Sequence, residues 1–417
     1  MAPSRQGPSY SPRPRASRVR VFCIVTTLLL TACASGARRP VSASPSDTLA
    51  PTGFPATVRY VGVAHRSGEA RSAEFWQRLP VAADGGAITI LALSGGGGHG
   101  AFSAGALIGL SERADRPQFT VVTGVSAGAL LAPFAFMGSA WDEQLTTLFR
   151  RWCCEQLMRS PGPAWLFRAS VYEGKPLVQL VDRLFSDAMI EAVGEEASRG
   201  RLLLVATTNL DTQDIVIWDL GLIAAQHTDA GRRLFRQVLV ASASYPGLLP
   251  PTLIRVEGLD GVYDEMHIDG AATAPFFIAP DLSEIPPGVR DALRGARIYV
   301  LLNRQLAVRG STIPDRKLQI TRTSFSANQR ALARTTVEVH AAFAQRYGMT
   351  VSIASIPGDY PLQMPFDFRT DVLERLFDYG KQRALTGQLW TTPERALGQE
   401  ERLDGPACET DMLTNVR

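Results

Sequence analysis

The stretch Phe119-Thr-Val-Val-Thr-Gly124-Val125-Ser126-Ala127-Gly128, continued by the apolar residues 129–137, decides how this chain reads. A β-rich run, a GxSxG turn and an apolar helix-length run are the strand, turn and helix that a nucleophile elbow requires. Gly124 and Gly128 supply the clearance for a sharp turn that lifts the Ser126 hydroxyl off the backbone. The helix N-terminus then sets the Ala127 N–H near any oxyanion. Residues 129–137 read chiefly as core, with part of the run able to wall an acyl channel. A serine hydroxyl is a poor nucleophile until a base accepts its proton. In the chain order of α/β-hydrolases that base is His227, His267 or His340. His267 stands in Met266-His267-Ile268-Asp269-Gly270-Ala271, so on a strand it shares a face with Asp269.

Upstream, the apolar residues 87–93 have strand length and lead into Ser94-Gly95-Gly96-Gly97-Gly98-His99-Gly100, then a helix-like run over 101–110. A buried strand, a glycine turn and a helix N-terminus aim backbone N–H groups at negative charge. Taken alone, the loop also fits a dinucleotide fingerprint, which needs an acid about 20 residues on at a strand end. Asp115 has the distance but lies in the polar segment 111–118.

These blocks resemble the patatin-like phospholipases, serine acyl hydrolases that use a Ser-Asp dyad. The family's glycine-rich oxyanion loop is similar to Gly95 to Gly100, its GxSxG to Gly124, Ser126 and Gly128, and its distal Asp-Gly-Ala to Asp269, Gly270 and Ala271. The segment Ala241-Ser-Ala-Ser-Tyr-Pro246 with Pro250 and Pro251 resembles the stretch before the family's aspartate, and 202–211 and 216–219 its middle strands. The resemblance covers roughly residues 87–285. It implies a three-layer α/β/α sandwich around a central, mostly parallel sheet. It also implies Ser126 as nucleophile, Asp269 as proton acceptor, and an oxyanion hole of Gly95, Gly96, Gly97 and Ala127, with a lipid ester as substrate and no cofactor. Many members have Arg or Lys where this chain has His99, which is either a weaker anion site or a plain helix N-terminal residue. Acyl transfer through the same acyl-enzyme, and a non-catalytic lipid-binding lipoprotein, are the alternatives.

The 417 residues are 45% hydrophobic and 20% charged, the composition of a globular protein with a sizeable core. A formal net charge of +3 is too weak a field for a nucleic-acid reader. Five cysteines and five histidines, with no CxxC or HExxH, speak against a zinc site.

Residues 1–20 carry five arginines and no acid, and 21–30 are apolar but too few to span a bilayer. Leu30-Thr31-Ala32-Cys33 follows and resembles the lipobox of bacterial lipoproteins. It implies a signal peptide over 1–32, lipidation of Cys33, export, and, from Ala34, an outer-membrane anchor facing the periplasm. Removing those five arginines leaves 38 basic against 40 acidic residues, a formal −2, so membrane contact rests on the anchor and on apolar surface. Residues 33–55 read as a disordered tether and 56–86 as a lead-in with a short strand over 57–63. Beyond the 87–285 hydrolase domain, 286–395 reads as an α/β extension of the same domain, with strands at 296–302 and 350–356 and helices at 323–347 and 371–385. Residues 396–417 read as an irregular tail. Cys153 and Cys154 are adjacent; either one pairs with Cys408 or both are buried thiols.

Overall fold

The computed structural model describes residues 38–39, 49–62, 66–83, 86–150, 170, 172–282, 285–307, 312–362 and 365–398. The segment 1–32, Cys33, Cys153, Cys154 and Cys408 lie outside the described residues.

Among the described residues, ten strands form one sheet: β1 (Ala50–Pro51), β2 (Arg59–Val61), β3 (Thr89–Leu93), β4 (Val121–Val125), β5 (Leu202–Asn209), β6 (Asp214–Asp219), β7 (Thr252–Gly258), β8 (Gly261–Asp269), β9 (Arg297–Leu302) and β10 (Thr350–Ser355). Strands β10, β9, β3, β4 and β5 are parallel neighbours in that order. An antiparallel part, built from the β7–β8 hairpin, β6 and the short β1 and β2, joins at β5.

The sheet is buried on both faces, and the strand side chains alternate between two cores as a period of two requires. Leu91, Leu93, Val122, Leu203, Val205 and Leu301 face one core. Helices α2 (Gly100–Glu112), α3 (Ala127–Met137), α4 (Asp142–Arg150), α5 (Lys175–Leu184), α6 (Asp187–Ser198), α7 (Leu220–Ala224) and α8 (Asp229–Ala243) belong to that side, as does α11 (Thr370–Leu385). Ile90, Ala92, Val121, Leu204 and Val300 face the other core, against α1 (Arg66–Ala82) and α10 (Lys317–Arg346). Two short helices, α9 (Arg290–Leu293) and α12 (Pro393–Ala396), complete the α-helices of the described residues. The result is a mixed α/β fold of three layers.

The extension over 286–395 contributes β9 and β10 to the main sheet, each within two residues of the expected bounds. Two findings go beyond the sequence reading. Residues 49–55, assigned to the tether by composition, take part in the fold: Leu49 is buried and Ala50 and Pro51 pair with Glu257 and Val256. The lead-in carries the 17-residue α1, which buries Phe75, Trp76 and Leu79. Its apolar face is short and interrupted by Pro80, so its periodicity is faint.

Candidate active site

One edge of β5 is shared by two strands that approach from opposite directions. Parallel β4 covers its first half and ends with Val125 opposite Ala206; antiparallel β8 covers its last residues and ends with Asp269 opposite Thr207. The residues leaving both strands therefore meet at mid-edge. Ser126, directly after β4, places its Oγ 2.5 Å from Asp269 Oδ2 and donates to it.

Ser126 has φ +57° and ψ −122°, a backbone region that residues with a Cβ rarely occupy. Such strain persists only when its surroundings enforce it. A Cβ on Gly128 would lie 2.2 Å from the Leu93 carbonyl oxygen, and one on Gly124 2.6 Å from that of Gly128. The elbow thus sits tightly against the end of β3. Its amide is held as well: Ser126 N–H donates to Ser242 Oγ at 3.0 Å, and Ser242 Oγ donates to the Ala206 carbonyl at 2.7 Å.

Asp269 is buried, with its second oxygen accepting from Ala271 N–H at 2.8 Å. Its own N–H donates to the Ser244 carbonyl at 2.9 Å. The segment containing Ser242 and Ser244 therefore braces both halves of the pair. Gly270 permits the approach, since a Cβ there would lie 2.5 Å from the Ala206 carbonyl oxygen. Burial pushes the Asp269 carboxyl up to about 6; the hydrogen bonds from Ser126 and Ala271 and the Arg304 charge pull it partly back.

None of the three histidines reaches Ser126. His267 shares the strand and the burial of Asp269, but its Nδ1 meets Thr207 Oγ1 at 2.9 Å and its Nε2 meets Glu265 Oε2 at 3.1 Å. Glu265 also accepts from Arg59 at 2.5 Å, inside the fold. Burial alone would raise Glu265, but the His267 hydrogen bond and the Arg59 charge outweigh it and hold its carboxyl at about 2. His340 is tied to the Thr336 carbonyl at 2.7 Å on α10, and His227 lies exposed in a turn.

The glycine loop closes the site from the β3 side. The oxyanion set expected from the resemblance narrows here, because Gly95 N–H is already engaged, donating to the Pro275 carbonyl at 3.2 Å. Gly95 instead gives proximity: a Cβ on it would lie 3.1 Å from Ser126 Cβ. Among the described residues, the N–H groups of Gly96, Gly97 and Ala127 make no hydrogen bond. Gly97 needs its positive φ of +57°. Gly100 starts α2, and His99 is buried at the turn before it. Asn303, beyond β9, anchors the loop: its N–H donates to Ser94 Oγ and its Nδ2 to the Ser94 carbonyl, both at 2.8 Å, while Ser103 Oγ donates to its Oδ1 at 2.6 Å. No motif in the sequence marks Asn303.

Residues 129–137 are core, with Leu131, Phe134 and Phe136 buried. The apolar surface beside the site comes from elsewhere. Tyr245 packs edge-on against Phe366 at 4.6 Å and Phe325 at 5.9 Å, and Phe366 meets Phe368. A Cβ on Gly97 would lie 3.5 Å from the Phe366 ring, so this aromatic group stands against the glycine loop. Among the described residues no cluster of His, Cys, Asp and Glu could hold a metal ion.

The family model described as patatin-like phospholipase matches residues 91–281. No curated protein matches. Among solved structures, VipD from Legionella pneumophila aligns at a TM-score of 0.33 and 13% identity, over 72% of this chain and 67% of its own. The type III effector protein ExoU aligns at 0.27 and 15%, over 76% of this chain and 53% of its own, so this chain spans about half of ExoU. Scores at this level carry no argument about this chain. The family match, spanning both Ser126 and Asp269, means that this chain carries a domain of the patatin-like phospholipase family over residues 91–281.

Proposed function

We propose that this protein is a serine lipid acyl hydrolase that cleaves carboxylic esters through an acyl-enzyme on Ser126, with Asp269 as general base. The observation that carries the reading is the 2.5 Å hydrogen bond from Ser126 Oγ to Asp269 Oδ2 at a strained elbow. The phospholipase activity that gives the matching family its name supports the substrate class.

Ser126 Oγ attacks the ester carbonyl carbon as its proton passes to Asp269. The carbonyl oxygen becomes an oxyanion and accepts from Gly96, Gly97 and Ala127 N–H, where each well-aimed donor is worth roughly 3 to 4 kcal/mol. The tetrahedral centre collapses, the C–O bond to the alcohol breaks, and the alcohol leaves with the proton from Asp269. Water then gives its proton to Asp269, attacks the acyl-enzyme, and releases the carboxylic acid while Ser126 regains its proton. A base acting on a serine at neutral pH works better when its pKa is lifted toward 7, which the burial of Asp269 supports.

A fluorophosphonate probe and a panel of lipid esters test this reading. The wild type takes the label and releases free acid, while Ser126→Ala takes none. Ser126→Ala and Asp269→Asn each lose about 10³-fold or more in turnover with circular dichroism unchanged. Acyl groups recovered in a second lipid would make the protein a transferase. Activity kept by Asp269→Asn and lost by His267→Ala would replace the dyad with a triad.

We also propose that the chain is an exported lipoprotein, anchored through Cys33 to the outer membrane and facing the periplasm. The basic segment, the short apolar run and the Leu30 to Cys33 tetrapeptide support it. No helix among the described residues is long and apolar enough to cross a membrane. Metabolic labelling with an alkyne palmitate marks the wild type, and Cys33→Ser remains unlabelled and uncleaved.

A further inference from the structure

Arg304 follows Asn303 at the exit of β9, where the Asn303 carbonyl closes to within 2.5 Å of a Cβ placed on Gly96. Its backbone therefore leaves β9 beside the oxyanion loop. Its guanidinium is held from one end: Nη1 donates to the Gln329 carbonyl on α10 at 3.0 Å. Nε is sealed from solvent and has no acceptor. No carboxylate lies within ion-pair distance of it among the described residues. The acidic group whose charge reaches it is Asp269, whose two oxygens are already committed to Ser126 and Ala271. Tyr245 is the other neighbour it feels, and its phenol stays neutral at physiological pH because burial pushes it up to about 12.

Arg304 is half-buried with its Nε sealed from solvent, and a charge so placed without an ion pair is costly, so proteins keep it where a ligand completes it. The planar fork of a guanidinium matches the oxygens of a phosphate or carboxylate, and here it stands on the same side of the sheet end as Asp269 and the glycine loop.

We propose that Arg304 is the specificity-determining residue of this site, binding the phosphodiester of the ester substrate so that anionic lipids are cleaved in preference to neutral ones of the same acyl chains. The assignment rests on the hydrolase reading above and names the substrate class for it. A phosphodiester oxygen would accept from Nη2 while Nη1 stays on Gln329, leaving the scissile carbonyl to the loop amides.

The test compares dihexanoyl phosphatidylglycerol with dihexanoylglycerol, which share acyl chains and differ in the phosphodiester. In Arg304→Gln, kcat/KM for the phospholipid is expected to fall roughly 10- to 100-fold while that for the neutral ester changes less than about 3-fold. Arg304→Lys should recover part of the loss. The pH at which activity rises should move upward to the same extent on both esters, because the variant removes the Arg304 charge that lowers Asp269, so the two esters are compared well above that pH. An equal loss on both esters at a pH well above the rise would mean that Arg304 acts only through Asp269, and no loss on either would mean that it is structural; both overturn the proposal. If the wild type cleaves neither ester, the hydrolase reading fails, and the anion site is then read by calorimetry. Ser126→Ala should bind dihexanoyl phosphatidylglycerol, and Ser126→Ala with Arg304→Gln should not; equal binding by both overturns the site. Inorganic phosphate at the same concentration is the control for a bare anion site. Competition by it as strong as that of the lipid would also overturn the assignment.

Discussion

Asp269 ties chemistry and stability together in one carboxyl group. In the folded chain burial lifts it from the ordinary value near 4 to about 6, with Ser126, the Ala271 amide and Arg304 opposing. On the proposed mechanism the base is therefore ionised only above about pH 6, and kcat/KM should rise through that pH and level off above it. Because folding favours the protonated form, the group's contribution to stability is fully present below about pH 4 and is lost as pH rises through about 6. Asp269→Asn removes that loss, since Asn can accept from Ala271 N–H and donate to Ser126 Oγ. We expect the inactive variant to exceed the wild type at pH 8 by about 1 to 3 kcal/mol in urea unfolding, with the gap closing near pH 4. A wild type that is equally stable at both pH values relative to Asp269→Asn would refute the buried, charged base. GxSxG and Asp-Gly-Ala marked the two residues that the structure hydrogen-bonds to each other. The resemblance named Asp269 as the acceptor, whereas the residues alone left His267 open, because the two share one strand face and only their neighbours separate them.

Elements that the sequence marks well are those with strong, uninterrupted patterns. β3, β4, α2 and α3 lie where apolar runs and glycine turns put them. Elements with weak patterns escaped: α1 shows a narrow apolar face, and the β7–β8 hairpin alternates with many polar residues. The contact between α2 and α11 depends on residues that no pattern singles out. A Cβ on Gly105 would lie 1.9 Å from the Phe377 carbonyl oxygen, and one on Gly380 2.2 Å from that of Phe102. Backbone meets backbone there, so no rotamer change can absorb an added methyl. Gly105→Ala should push the helices apart and cost about 3 kcal/mol or more, read as a lower urea midpoint. Because α2 starts at the glycine loop, residual activity should fall with it. Unchanged stability would mean that the two helices are not packed through these glycines.

At the scale of the molecule, the 91–281 match is not a folding unit by itself. β3 lies between β4 and β9, and β9 is outside that span, as are Asn303, which anchors the glycine loop, and α11, which covers α2. On the other side Arg59 of β2 ends in the buried Glu265 and His267 group on the strand that carries Asp269. A fragment of residues 91–281 should give no cooperative melt and no ester cleavage, while residues 49–398 should give both, as checked by calorimetry and turnover. A folded, active short fragment would show that the flanking strands are dispensable. The amino-acid sequence alone determined the α/β class, the elbow at Ser126 and the glycine loop, because strand, turn and helix propensities act over neighbouring residues. Tertiary structure alone decided that β4 and β8 end against each other on one edge of β5. It also decided that Gly95 engages its amide with Pro275 and that the Arg304 charge reaches Asp269. Those outcomes depend on strand order and on contacts between residues far apart in the chain, which local pattern does not encode.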